Sequence, residues 1–331
     1  MRNQNQRGAA IYAYCIPLTS PIRSAGVMLA QREGLLLRLD QGSDRSGWGE
    51  AAPLPGFSIE TLAQSQQDLI TQAKAWLNGS ATDPIPVLSP SARFGFSCAL
   101  HELDKGPLSE PGTPVSYPLL QDEPEAMLQQ WRCLATTQQP ASLKLKLARR
   151  SLAREIALVQ ALLRETPELR LRIDCNQGWT LQQAQQFLTA IPRATIDYLE
   201  EPCRDLQQSL ELTEQTGVAL ALDESLRLPG FILPKHPALA ALILKPSLTG
   251  SLQQLRDWIE LGQKRGVRVI LSSSYESSLG LAQIAALATQ LTPAEAPGLD
   301  TARAFSRNLL RGGDPAKPTL TPHDLTCLWR S

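Results

Sequence analysis

The rhythm of hydrophobic positions changes along the chain. Short apolar runs at 10–17, 34–40 and 46–51 read as strands, and Gly42 and Ser43 between the last two predict an antiparallel meander. Pro53, Pro55 and Gly56 break that pattern. Ser58 is placed to cap a helix with Glu60 in its first turn. Leu62, Leu69, Ala73 and Trp76 form its apolar stripe, and Asn78-Gly79 ends it. A Pro-rich stretch, 84–90, leads to a second helical segment at 92–104. Sheet first and helices after predict an α+β lobe.

From about residue 115 strands and helices alternate. Apolar strand-like runs fall at 115–120, 142–147, 169–174, 196–200, 219–223, 241–245 and 267–272, with helical stretches such as 151–164, 180–190, 204–216 and 251–265 between them. The runs end on Lys146, Asp174, Glu200, Asp223, Lys245 and Ser272, 22 to 28 residues apart. A βα unit repeated at that interval predicts a parallel (β/α) barrel, and no GxGxxG turn follows any strand to favour an open nucleotide-binding sheet.

Composition narrows the function. With 32 basic and 32 acidic residues in 331, the chain lacks the positive excess of a nucleic-acid or anionic-membrane binder, so neither partner is expected. No apolar run approaches the roughly 18–20 residues that span a bilayer. Met1–Gln6 is polar, without the apolar core of a signal peptide, and a cytoplasmic protein is expected. The six cysteines form no CxxC pair and read as buried free thiols. Only three histidines occur, so a base or metal ligand must come mostly from other residue types.

Chemistry in such a barrel sits at the C-terminal ends of the strands. Here three successive ends carry carboxylates: Asp174 in Arg-Ile-Asp-Cys-Asn, Glu200 in Leu-Glu-Glu-Pro and Asp223 in Leu-Asp-Glu-Ser. Each alone could serve as a cap for the following helix. Together they would repel one another unless a cation neutralised them, and an all-oxygen set favours Mg²⁺. Lys144 and Lys146 alternate with leucines and share one strand face, where burial without a task would be costly. Lys245 ends an apolar strand and is expected across the barrel mouth from Lys146. The pattern suggests a reacting carbon held between two ammonium groups and a metal.

These residues resemble the muconate-lactonizing subgroup of the enolase superfamily. Gly47-Trp48-Gly49-Glu50, Pro53 to Ser58, Leu199 to Cys203, Leu222 to Arg227, Lys245 to Ser251 and Ser272 to Gly280 resemble the o-succinylbenzoate synthase family more closely, over about residues 10–305. The resemblance implies an α/β fold, a modified TIM (β/α) barrel over 106–300 with an N-terminal α+β capping domain over 1–105, joined by part of the tail, 301–331. It implies a lyase that dehydrates 2-succinyl-6-hydroxy-2,4-cyclohexadiene-1-carboxylate to o-succinylbenzoate in menaquinone or phylloquinone biosynthesis, through an enediolate. Mg²⁺, with Mn²⁺ as a substitute, would sit on Asp174, Glu200 and Asp223.

By the same resemblance Lys146 removes the proton α to the carboxylate and then assists departure of the hydroxyl, while Lys245 stays cationic. Bringing a lysine from about 10.4 to about 7 takes about 4–5 kcal/mol, which the metal and the other lysines would supply. Lys144 is then a tuning and carboxylate-binding partner. Arg172 reaches the metal shell or substrate, Asn176 and Glu224 support the site, and Ser272, Ser273 and Ser274 bind the succinyl carboxylate. The Thr19–Gly26 and Leu54–Ser58 segments are expected as loops that close over the ligand. Cys175 stands where a smaller residue is expected. The partner is a small molecule and the chain a monomer.

Two rivals remain. An N-acylamino-acid racemase or dipeptide epimerase would use both lysines as bases, but Leu299-Asp300-Thr301 lacks the Asp-x-Asp that resembles dipeptide recognition. A binding barrel without catalysis would be expected to have lost an acid or a lysine, and none is lost.

Overall fold

The computed structural model describes residues 6–24, 26–80, 82–108, 116–137 and 140–331. The polar start expected at Met1–Gln6 therefore lies, apart from Gln6, outside the described residues. The elements are, in order, β1 (Arg7–Ser24), β2 (Val27–Gln41), β3 (Arg45–Ala51), α1 (Leu62–Leu77), α2 (Pro90–Lys105), β4 (Leu119–Leu120), α3 (Pro124–Thr137), β5 (Ser142–Lys146), α4 (Leu152–Glu165), β6 (Arg170–Asp174), α5 (Leu181–Ala190), β7 (Ile196–Glu200), α6 (Leu206–Thr216) and β8 (Leu220–Leu222). Then follow β9 (Leu239–Leu244), α7 (Pro246–Thr249), α8 (Leu252–Lys264), β10 (Arg268–Leu271), α9 (Ser278–Leu291), β11 (Asn308–Leu309), β12 (Thr319–Leu320) and β13 (Thr326–Arg330). No described helix is long and apolar enough to cross a membrane.

The chain divides into two compact units. One comprises 1–115, 244–261 and 271–331, the other 116–243 and 262–270. In the first, an antiparallel sheet runs β13-β1-β2-β3. The last residues of the chain supply its outer strand, with Ala10 opposite Arg330 and Ala13 opposite Thr326. The segment expected as a loop from Thr19 is instead strand through Ser24. Ile22, Arg23 and Ser24 pair with Leu29, Met28 and Val27, after an irregularity between Pro17 and Ile22. Pro17, Thr19, Ser20 and Pro21 are loop formers by type and obscure this pairing in the sequence.

Helix α1 begins later than expected. Thr61 is its cap, its side chain accepting from Gln64 N at 3.2 Å. Ser58 Oγ instead accepts from Leu54 N at 2.8 Å and closes the 54–58 turn. Asn78 and Gly79 end the helix as expected, Gly79 at φ +72°.

Strand β3 packs tightly on α2. The Gly-Trp-Gly-Glu spacing puts Gly47 and Gly49 on one strand face and Trp48 and Glu50 on the other. A Cβ at Gly49 would lie 1.7 Å from Gly95 O, and one at Gly47 1.9 Å from Ala99 O. The other face delivers Glu50, which is buried and accepts from Ser277 N at 2.9 Å, Ser277 Oγ at 2.6 Å, Gly280 N at 2.9 Å and the Tyr14 hydroxyl.

The second unit carries most of a seven-stranded sheet, ordered β10-β9-β8-β7-β6-β5-β4. Strands β4 to β9 pair in parallel. Sequential order with a helix between most strands is the βα repeat that the spacing predicts. Strand bounds in this sheet move by no more than two residues except at β4, expected over 115–120 and confined here to Leu119–Leu120, with residue 115 outside the described residues. The helix expected over 251–265 is α8, and Gly250 at φ +115° separates it from the short α7 that precedes it. Leucines of β5 and β6 pack with Trp131, Val159, Phe187 and Leu212 in one core.

Gly49→Ala is expected to destabilise the chain by about 1–3 kcal/mol, since strand and helix must separate to admit the methyl group. Urea unfolding checks this: an unchanged midpoint would mean that β3 does not rest on α2 as described.

Candidate active site

Strand register sets the positions of the charged groups. Across β5, β6 and β7, Lys144 aligns with Arg172 and Arg172 with Tyr198; two residues on, Lys146 aligns with Asp174 and Asp174 with Glu200. The side-chain period of two puts both layers on the same face of the sheet. Asp223 immediately follows β8. Asp174, Glu200 and Asp223 are all buried, at 0%, 0% and 2% exposure.

Lys144 Nζ lies 2.6 Å from Glu200 Oε2 and 2.9 Å from Asp174 Oδ2, and Lys146 Nζ lies 2.6 Å from the same Asp174 oxygen. Lys146 also donates to Asn176 Oδ1 at 2.8 Å. Asn176 in turn donates Nδ2–H to Glu224 Oε1 at 2.8 Å and its backbone N–H to Asp174 Oδ1 at 3.1 Å. The structure thus brings together Lys144, Lys146, Asp174, Asn176, Glu200 and Glu224 from the ends of four successive strands.

Burial opposes charge on Lys144, Asp174 and Glu200, and neighbouring charges reverse its effect on the first two. Burial alone would lower Lys144, but Asp174 and Glu200 outweigh it and hold the ammonium well above the ordinary lysine range. Burial would raise Asp174, yet Lys144 and Lys146 keep it well below the usual carboxylate range. Glu200 is pushed well up, by burial first and then by Asp174, with Asp223 adding to it. Glu200 therefore feels the negative charge of both Asp174 and Asp223.

This donor set suits a hard divalent cation. Every candidate ligand is a carboxylate oxygen, and Glu200 Oε1 is buried with no hydrogen-bond partner. Among the described residues, no three His, Cys, Asp or Glu side chains are gathered tightly enough to hold a metal as they stand. The carboxylates here turn to Lys144 and Lys146, whose ammonium groups supply the positive charge.

The other expected residues are placed as follows. Arg172 lies one layer below Asp174, bonded to Asp197 Oδ2 at 3.0 Å, with its guanidinium 4.4 Å from the Tyr117 ring centre and 5.5 Å from that of Tyr198. Lys245 follows β9 and opens α7, its Nζ 4.8 Å from the centre of the Phe57 ring in the Leu54–Ser58 turn. Ser272 Oγ and Ser273 Oγ donate to Gly298 O at 3.2 and 3.3 Å, and Ser273 also meets Thr301 Oγ1 at 2.9 Å. Ser274 Oγ is buried without a partner, while its backbone N–H donates to Glu276 at 2.6 Å. Cys175 is buried in the core, where burial raises its thiol well above the ordinary range.

Two features escaped the sequence reading. Tyr117, leading into β4, and Asp197 and Tyr198 of β7 surround Arg172, a partnership visible only once register is known. Glu201, beside Glu200, is buried and accepts several hydrogen bonds; the doubled acid in Leu-Glu-Glu-Pro was the available signal.

Comparison with known proteins identifies the family. Residues 6–103 match the MenC N-terminal domain family, and residues 126–317 the enolase C-terminal domain-like family. The chain is 40% identical to the o-succinylbenzoate synthase of Enterobacter sp. (strain 638), over 92% of this chain and 94% of that one. The crystal structure of o-succinylbenzoate synthase from Thermosynechococcus elongatus BP-1, with Mg in its active site, superposes with a TM-score of 0.75 at 27% identity, covering 95% of this chain and 96% of that one. The L-Ala-D/L-Glu epimerase of Bacillus subtilis shares the fold, with a TM-score of 0.78 at 19% identity over 98% of each chain. The fold is accordingly the modified (β/α) barrel of the enolase superfamily with its N-terminal cap, and the family relationship implies a divalent metal. This chain belongs to the o-succinylbenzoate synthase family of lyases.

Proposed function

We propose that the enzyme dehydrates 2-succinyl-6-hydroxy-2,4-cyclohexadiene-1-carboxylate to o-succinylbenzoate, in menaquinone or phylloquinone biosynthesis, with Lys146 as the proton carrier. The observation that carries this reading is the placement of Lys146 Nζ, 2.6 Å from Asp174 and 2.8 Å from Asn176, at the end of a buried strand. Asn176 accepts one N–H and so fixes the direction of the amine; Glu224 holds Asn176 in the orientation that allows it.

In its neutral form Lys146 takes the proton α to the ring carboxylate. The electron pair left on carbon forms the new ring double bond as the C–OH bond breaks, and the protonated Lys146 returns its proton to the departing hydroxide as water. The product ring is aromatic, so the first proton transfer is the step that needs help. Lys144, fixed to Asp174 and Glu200, contributes permanent positive charge, and Lys245 is proposed as the second cation for the developing negative charge. Asp174, Glu200 and Asp223 would hold a divalent cation, Mg²⁺ or Mn²⁺ in its place, which would supply charge to the substrate carboxylate. Ser272, Ser273 and Ser274 are proposed for the succinyl carboxylate, Ser274 Oγ having no other partner. Arg172, held by Asp197, supports the layer below. The capping role proposed for 1–105 with 301–331, a barrel over 106–300, a monomeric state and a cytoplasmic location belong to the same reading.

Lys146→Ala is expected to lower turnover at least about 10³-fold, at the upper part of what a general acid–base group supplies, with an unchanged circular-dichroism spectrum. Ring aromatisation followed by ultraviolet absorbance measures it, and a near-normal rate would remove Lys146 as the base. Chelation with EDTA is expected to abolish that absorbance change, and added Mg²⁺ to restore it. The competing racemase or epimerase activity is checked with N-succinyl amino acids in D₂O. Deuterium at the α-carbon at a rate matching dehydration would make racemisation an equal function, and its absence is expected.

A further inference from the structure

The most fully bonded carboxylate in this region is not one of the proposed metal ligands. Glu201 is 2% exposed and accepts four hydrogen bonds. Oε1 takes Asp223 N at 3.0 Å and Ser225 N at 2.8 Å; Oε2 takes Ser225 Oγ at 2.9 Å and Gln177 Nε2 at 3.0 Å. Its backbone is bound too: Gln177 N donates to Glu201 O at 2.7 Å, and Glu201 N donates to Ala221 O at 3.1 Å. One residue thus joins the segments that follow β6, β7 and β8, each of which carries a proposed metal ligand.

The same segments hold an unfavourable backbone. Asn176, Gln177 and Glu201 stand at φ +43°, +61° and +44°, the left-handed region that residues with a Cβ resist. Such conformations persist only where surrounding bonds enforce them. Gln177 is enforced by two bonds to Glu201, one from its backbone and one from its side chain. The Asp223 backbone is fixed by the Glu201 carboxylate directly.

We propose that Glu201 is a positioning residue: it clamps three strand ends so that Asp174, Glu200 and Asp223 present their oxygens to one divalent cation. Its role is geometric, through carboxylate length and acceptor capacity, and not a fourth negative charge for the cation. The inference rests on the reading of those three acids as the metal ligands.

Calorimetric titration of the EDTA-stripped full chain with Mg²⁺ tests it, at a temperature well below unfolding. Glu201→Asp keeps the charge but shortens the reach, and is expected to weaken Mg²⁺ binding about 10–100-fold, the usual effect of removing an outer partner of a ligand. Glu201→Gln keeps the length and the oxygen that accepts from Asp223 N and Ser225 N, and its amide N–H groups donate to the Ser225 hydroxyl and to a turned Gln177 amide oxygen, so all four contacts persist and it is expected to bind within about threefold of the unaltered chain. Unaltered binding in Glu201→Asp, equal losses in both variants, or a larger loss in Glu201→Gln would each overturn the proposal. Should Glu201→Asp not fold, Ser225→Ala removes one of the four bonds and is expected to weaken Mg²⁺ binding about threefold; unchanged affinity there would overturn the clamp. Glu200→Gln is the control for the underlying reading: if it binds Mg²⁺ as the unaltered chain does, the ligand assignment itself fails, whatever the Glu201 variants show.

Discussion

Everything in the parallel sheet is organised around ionised groups taken out of water. Lys144 sits between Asp174 and Glu200 with almost no exposure on any of the three. Removing one partner of such a set leaves an uncompensated buried charge, which is far more costly than the set is worth as a whole. Stability is therefore a poor reason for these groups to be there. A demand for concentrated, fixed charge is a better one, and it matches chemistry in which a carboxylate's neighbour loses a proton.

The sheet supplies the rigidity that this demand requires. Adjacent parallel strands align Lys146, Asp174 and Glu200 in one layer, so that relative positions follow from backbone pairing rather than from long side chains finding one another. Asn176 and Glu224 extend that order outward through hydrogen bonds. A similar device serves the other unit, where buried Glu50 gathers the start of α9 through Ser277 and Gly280. In both units a buried carboxylate organises the turns around it.

Much of this was legible in the residues. The βα interval located six strand ends to within a residue, and the polar or charged residues closing those runs, Lys146, Asp174, Glu200, Asp223, Lys245 and Ser272, became site candidates without any contact being known. Alternation in Leu-Lys-Leu-Lys-Leu placed both lysines on one face. What escaped were relations between distant segments. Ser58 and Thr61 are equally good caps by type, and only the turn bond to Leu54 removes Ser58 from the role. The β1–β2 pairing beyond Pro17 resumes after an irregularity with Ile22–Leu29, Arg23–Met28 and Ser24–Val27, and the Thr-Ser-Pro stretch before it reads as a loop. The partners of Arg172 depend on register, and the four bonds of Glu201 depend on how three turns fold back.

Strand β13 gives the antiparallel sheet a temporal dimension. Its pairing with β1 joins residues at opposite ends of the chain, Ala10 with Arg330. During synthesis at roughly 5–20 residues per second, β1 would emerge about 15–60 s before the strand that covers its outer side. Throughout that interval a long row of amide and carbonyl groups faces the crowded cell without its mate, the condition under which neighbouring nascent chains adhere. Expression yield should thus depend on how quickly translation reaches the final strand.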